Sequence, residues 1–193
     1  NVTLSTSQLN GFNPTDGQQF TIIENTSANA VSGTFNGLAE GALIPNFLGT
    51  STGATISYVG GTGSNDVVLT ALAPTTTVSL DGNDLKIEDT NGADTDDALT
   101  ISADGTTLTI TDPGNLLTVS GIGGATGDGT NTITVPLSAF SGSVVASTLG
   151  GTDALTIGTL TLIAGQGLNA TAETISVTGA VTTGAGNQTL ITD

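Results

Sequence analysis

The chain has 193 residues, and its 17 acidic side chains are opposed by a single base, Lys86, so that its formal net charge at pH 7 is −16. It contains no His, Cys, Met, Trp or Arg, which removes most of the nucleophiles, proton shuttles and anion-binding groups that enzymes use. The composition therefore argues against an enzyme, and the shortage of Lys and Arg excludes nucleic-acid binding, which requires basic groups at the phosphates.

The first predicted module covers residues 1–73. It contains Tyr58 and every Phe of the chain except Phe140. A strand-like run over 67–71 ends just before Pro74 and a run of Thr, and a stretch of this kind is typical of a boundary between modules. We therefore predict a β-strand module over 1–73 and a second region over 74–193.

The second region has the pattern of many short strands. Apolar residues alternate with Thr or Ser over 107–111, 132–135, 159–162 and 174–177, and a period of two indicates strands that are buried on one side. Clusters of Gly, Asn and Asp separate these runs, as tight turns require. The sequence predicts an all-β fold, and no apolar run is long enough for membrane insertion.

The spacing of the apolar pairs favours a stack of coils. Pairs recur about every 20 residues, from Ile133 through Leu155 to Ile175, which is consistent with one solenoid coil per recurrence. Sandwich cores usually carry larger anchors, whereas stacked coils are filled by Val, Ile, Leu, Ala and Thr. We predict an elongated parallel β-solenoid, with β-sandwich modules as the alternative.

Parts of both regions resemble bacterial surface proteins. The segments at 17–23, 31–38 and 56–70 are similar to the closing module of autotransporter-associated β-strand repeat proteins. Three later segments resemble repeat regions of very large, adhesin-like surface proteins: 85–90, 108–113 and 150–156. The resemblance implies an extracellular, cell-surface protein with a right-handed parallel β-helix or a related calcium-binding β-solenoid, serving as a stalk or adhesin body.

Clustered carboxylate and amide oxygens point to calcium as a cofactor. Carboxylates on one short loop repel each other, and Ca²⁺, which prefers oxygen ligands, relieves that repulsion. The predicted ligands lie on two loops, with three secondary candidates elsewhere: Asp81, Asn83 and Asp84; Asp94, Asp96 and Asp97; and Asp66, Asp128 and Asp153. The alternative is that these residues form turns and keep the surface soluble.

Taken together, these features predict an extracellular structural protein. It would be a stalk, sheath or filament subunit that associates with further copies of itself or with neighbouring repeats of a longer chain, because stacked coils leave open strand edges at their ends. An adhesin segment that binds glycans or proteins is the alternative. A glycosidase needs only two carboxylates, but a chain with one Tyr and no Trp is poor in the aromatic platforms that sugar clefts present.

Overall fold

The computed structural model of the protein describes residues 2–90, 96–148, 150–184 and 186–192. The chain divides into two compact units, Asn1–Ala73 and Pro74–Asp193, and each is described by itself. The all-β prediction is confirmed, because 48% of the residues are in strands and 3% in helices. Within the described residues no helix has the length and apolar character needed to cross a membrane.

The first unit contains a four-stranded antiparallel sheet with the strand order β1-β4-β3-β2. Its strands are β1 (Gln19–Ile23), β2 (Leu43–Ile44), β3 (Gly53–Gly60) and β4 (Asp66–Leu72), and a 3₁₀ turn covers Phe47–Gly49. The inward residues of β3 alternate with exposed or half-buried ones, as the period of two predicts. They pack into a small core with its centre at Phe47, Ile56 and Leu69.

The second unit contains twelve described strands and one short 3₁₀ turn. The strands are β5 (Thr76–Asp81), β6 (Asp84–Asp89), β7 (Ala98–Asp104), β8 (Thr107–Thr111), β9 (Leu117–Val119), β10 (Thr132–Pro136), β11 (Val144–Ser147), β12 (Ala154–Ala164), β13 (Leu168–Ala172), β14 (Thr174–Val177), β15 (Val181–Gly184) and β16 (Gln188–Thr192). The 3₁₀ turn covers Leu137–Ala139.

These strands form two sheets with a shared hydrophobic core. One sheet has the order β16-β13-β11-β6-β5-β9, and the other has the order β10-β8-β7-β12-β14, with β15 also paired to β12. Leu85 and Ile87 of the first sheet and Leu99 and Ile101 of the second are fully buried in the same cluster. The second unit is therefore a two-layer β-sandwich.

The predicted solenoid is thus not seen as a closed coil, and the sandwich alternative describes the sheets better. The physical reason lies in the turns: the tight turn at Gly82, which has a positive φ of 62°, reverses the chain and pairs β5 with β6 antiparallel. The pairings of β7 with β8 and of β8 with β10 are antiparallel as well. The sheets are therefore mixed, whereas the strands of a parallel β-helix all run in one direction.

Only some of the apolar residues that recur about every 20 positions lie beside each other in parallel strands. Leu155 of β12 pairs with Ile175 of β14 in a parallel register. Ile133 of β10, however, pairs with Ile110 of β8 in an antiparallel register at the other edge of the sheet. Parallel pairing links β6, β11, β13 and β16 in one sheet and β7, β12, β14 and β15 in the other, and it also joins β5 to β9.

Candidate functional site

Four of the described aspartates are buried at one end of the sandwich core of the second unit. Asp89, Asp97, Asp112 and Asp153 are exposed by 4%, 2%, 0% and 1% of their surface, and we refer to these four residues as the carboxylate layer. Buried carboxylates are rare because desolvation of a charge is costly unless the charge is paired. The layer is therefore the feature of the molecule that calls for a chemical explanation.

The strand alternation itself places these aspartates in the interior. Asp97 precedes the inward residues Leu99 and Ile101 by two and four positions, so all three point to the same side of the sheet. Asp112 follows the inward residues of β8 in the same way. Because β7 and β8 are antiparallel neighbours, the start of β7 and the end of β8 meet at the same end of the sheet.

A repeated pentapeptide explains why Asp97 and Asp153 come together. The sequence Asp-Ala-Leu-Thr-Ile occurs at 97–101 and again at 153–157. The two copies pair in register as parallel strands, with Leu99 opposite Leu155. Asp97 and Asp153 hold the same position in their copies, one residue before the paired strands, and therefore lie side by side. This repetition is the signal that could have identified the pair from the sequence.

Hydrogen bonds satisfy only half of each carboxylate in this pair. The backbone N–H of Asp97 donates to Oδ1 of Asp153 at 2.9 Å. Oδ1 of Asp97 accepts from Asn115 Nδ2 at 2.9 Å and from the Thr75 hydroxyl at 3.3 Å. By contrast, Oδ2 of Asp97 and Oδ2 of Asp153 are buried and have no hydrogen-bond partner in the part of the chain that the structure describes.

Asp112 differs from its neighbours because its carboxylate is fully engaged. Its Oδ1 accepts from the backbone N–H groups of Gly114 and Asn115 at 2.8 and 3.1 Å, and its Oδ2 accepts from that of Ala98 at 3.2 Å. These bonds form the turn that follows β8, a role that Asp side chains often have. Asp112 is therefore a structural member of the layer.

The electrostatic environment of Asp97 and Asp153 favours the neutral form of their carboxyls. Burial, followed by the charges of Asp112, Asp89 and Asp153, raises the pKa of Asp97 from 3.8 to about 7. Burial also raises the pKa of Asp153, and the hydrogen bond from the backbone N–H of Asp97 and the nearby Thr148 hydroxyl partly offset this effect. Lys86, the single base of the chain, does not neutralise these carboxylates. It pairs with Glu88 at 2.8 Å, and both side chains are about one third exposed.

The remaining described ligands that were predicted on the two acidic loops are not members of the carboxylate layer. Asp81, Asn83 and Asp84 form the β5–β6 hairpin, where Oδ1 of Asp84 accepts from the backbone N–H of Ser143 at 2.6 Å. Oδ1 of Asp96 accepts from the backbone N–H of Thr152 at 2.8 Å. Asp94 lies outside the described residues.

The secondary candidates Asp66 and Asp128 also take part in local hydrogen bonds. Asp66 accepts from the backbone N–H of Asn25 at 2.9 Å within the first unit. Asp128 accepts from the Thr118 hydroxyl at 2.8 Å and from the backbone N–H of Val119 at 2.9 Å. Among the predicted ligands, the structure thus brings Asp97 and Asp153 together as a buried pair, and it adds Asp89 and Asp112, which the sequence reasoning missed.

No group of three or more acidic side chains within the described ranges is arranged as a metal centre. Any metal on the layer would therefore need neutral oxygens beside the carboxylates. The calcium prediction for the two acidic loops stays a prediction.

Comparison of the chain with protein-family models, with curated proteins and with solved structures gave no match.

Proposed function

We propose that the protein is an extracellular structural module, a stalk, sheath or filament segment, which associates through the open strand edge of its second unit. The observation that carries the proposal is the edge strand β16. It is the outermost strand of its sheet, and all five of its residues are exposed. An exposed edge presents a row of unpaired backbone groups that can pair with another strand.

The pairing next to this edge is regular enough to be continued. Leu168 of β13 pairs with Gln188 of β16, and Ala154 of β12 pairs with Thr174 of β14. The stacked residues are thus 20 positions apart in both sheets. A regular parallel stack of this kind offers a further strand the same register as the one before.

Apolar side chains add to the open edge. Leu190 and Ile191 of β16 are 38% and 50% exposed, and Val177 of β14, at the edge of the second sheet, is 48% exposed. A strand that pairs with β16 would cover part of this surface, and burial of apolar area stabilises the contact.

The opposite side of the second unit is covered by its own chain. Thr126 exchanges two 3.0 Å backbone hydrogen bonds with Thr134 of β10, and Leu117 of β9 donates one to Thr130 at 2.8 Å. The edge at β16 is open, whereas β9 and β10 are bonded to other segments of the same unit. A further strand would therefore add at the β16 edge. This asymmetry supports association through the β16 edge, either with a neighbouring repeat of a longer chain or with a second copy of this chain.

The adhesin alternative has less support from the site geometry. Tyr58, the single Tyr of the chain, has its hydroxyl engaged within the first unit, where it donates to the Leu38 carbonyl at 2.8 Å and accepts from the Phe35 N–H at 2.9 Å. The composition and the resemblance to bacterial surface proteins support the extracellular location in the proposal.

Sedimentation velocity over a range of protein concentrations tests the proposal. We expect concentration-dependent association of the wild type and its loss in Leu190→Lys, because a charge on an edge strand opposes pairing. Leu80→Lys is the matched control, since Leu80 is 39% exposed against 38% for Leu190 and lies on the inner strand β5. A wild type that stays monomeric at high concentration, or equal effects of the two variants, would contradict the proposal.

A further inference from the structure

No basic side chain of the protein neutralises the buried Asp97 and Asp153. Both carboxylates are almost fully buried, and the chain has no Arg or His and one Lys, which is engaged with Glu88. A proton on Asp97 would leave the charge of Asp153. Ionised carboxylates with no countercharge are costly in a buried site, and such sites are paired or coordinate metals.

Two buried threonine hydroxyls next to the layer are unpartnered as well. Thr76 and Thr148 are exposed by 0% and 1%, and their Oγ1 atoms have no hydrogen-bond partner among the described residues. Thr76 lies directly opposite Asp89 in the β5–β6 pair. Thr148 follows Ser147, which pairs with Glu88, so Thr148 and Asp89 hold equivalent positions in neighbouring strands. Native proteins leave few buried polar atoms unsatisfied, and each one calls for an explanation such as an ion.

Thr148 lies beside Asp153. Its hydroxyl is near enough to that carboxyl to lower its pKa, yet it makes no hydrogen bond within the described residues. The unpartnered oxygens of Asp97, Asp153 and Thr148 thus belong to neighbouring side chains at the end of the core, on facing sheets.

We propose that these side chains bind one divalent cation of the calcium class, with Oδ2 of Asp97 and Oδ2 of Asp153 as the anionic ligands and the Thr148 hydroxyl as a neutral ligand. This site does not depend on the proposed structural function. The donors are all oxygens, which favours Ca²⁺ over Zn²⁺, and Ca²⁺ accepts six to eight oxygens in flexible geometry, so carbonyls or water complete the shell. Mg²⁺ requires a near-ideal octahedron and is expected to bind less well.

Thermal unfolding of the full chain at pH 7.5 tests the site. A cation that binds the native state raises its stability, and we expect millimolar Ca²⁺ to raise the midpoint by about 5 °C over a sample in chelator. Asp97→Asn and Asp153→Asn keep the side-chain shape and remove the charge, so each should abolish the Ca²⁺ response. Asp81→Asn, on the β5–β6 hairpin, is the control and should respond as the wild type does.

Isothermal titration of folded wild type with CaCl₂ gives a readout that does not depend on the variants folding, and one ion per chain is expected. A wild-type midpoint and titration that are both unaffected by millimolar Ca²⁺ would overturn the proposal and leave protonation as the means of neutralising the layer. It would also be overturned if Asp81→Asn abolished the response while Asp97→Asn retained it, because the ion would then lie at the hairpin.

Discussion

The backbone N–H of Asp97 donates a 2.9 Å hydrogen bond to Oδ1 of Asp153, and this bond joins the two copies of a repeated pentapeptide at their first residues. The relationship continues along the sheet, since the backbone N–H of Asp153 donates to Oε2 of Glu173 at 3.1 Å. Each acidic side chain therefore caps the start of the preceding strand in the stack. The arrangement satisfies backbone donors at the strand ends, and it brings like charges close together.

Without divalent cations, the protein should become less stable as the pH rises, because the pKa of Asp97 is raised in the folded state. The pKa of Asp97 is raised from 3.8 to about 7 in the folded state. Between these values the native state binds a proton that the unfolded state lacks, so the free energy of unfolding should fall as the pH rises from about 4 to about 7. Urea denaturation in chelator at pH 4.5 and pH 7.5 measures the difference.

Asp97→Asn should flatten this pH profile, because the amide cannot titrate. Below pH 4 a second group acts in the opposite direction. Hydrogen bonds from Thr106 and Thr107 lower the pKa of Asp104 to about 2, so its contribution to stability is lost as the pH falls toward that value. A wild-type stability that is equal at pH 4.5 and 7.5 would show that the Asp97 carboxyl is not held neutral.

Gln166→Leu should destabilise the second unit strongly. Gln166 is fully buried, and its Nε2 donates to the carbonyls of Leu137 and Phe140 at 2.7 and 2.9 Å. Leu has a similar volume and no polar atoms, so both carbonyls would lose a buried partner, at about 1–3 kcal/mol for each group. Guanidinium denaturation measures the loss, and Gln19→Leu, at an exposed position of the first unit, is the control. A loss below about 1 kcal/mol would mean that water reaches these carbonyls.

Leu99 and Leu155 should show energetic coupling, because they pair in adjacent strands and both are buried. Each Leu→Ala substitution removes buried methyl groups and leaves a cavity, which costs about 2–5 kcal/mol. Because the two cavities adjoin, the double variant should differ from the sum of the single variants by about 0.5–3 kcal/mol. Strict additivity in a double-mutant cycle would contradict the register of β7 and β12.

The polypeptide 74–193 should fold without residues 1–73. It has its own core, in which the inner faces of both sheets are buried, and a separate core is the requirement for autonomous folding. Circular dichroism and amide hydrogen exchange on this polypeptide should show a cooperative β-protein. Strands β7 and β12 would be expected among the most protected, and an unfolded spectrum would show that the first unit is required.

The sequence predicted the strands better than their partners. Alternation of apolar and polar residues marks a strand in any sheet, so the runs at Thr107–Thr111 and Thr132–Pro136 were recognised. The alternation is the same whether the neighbouring strand is parallel or antiparallel. It therefore cannot show that Ile133 pairs with Ile110, which is why the sequence favours a solenoid over the sandwich alternative that the sheets resemble.

The candidate site was predicted in part for a related reason. Asp97 and Asp153 were named, but as surface loop ligands, since Asp is usually exposed. Asp89 and Asp112 each end a Leu-x-Ile-x-Asp run, at 85–89 and 108–112, and continue the inward alternation of their strands. Only the pairing of the strands shows that these four positions share one end of the core.

The register of β6 and β7 has a consequence for how the chain folds. Leu85 pairs with Val144, and Leu99 pairs with Leu155. The central strands of both sheets therefore pair with strands that lie more than 50 residues later in the chain. Closing such long loops costs entropy before any contact is gained, and proteins rich in distant pairings fold on the order of milliseconds to seconds. During synthesis, β6 and β7 leave the ribosome well before β11 and β12, and their unsatisfied edges are then exposed to other chains.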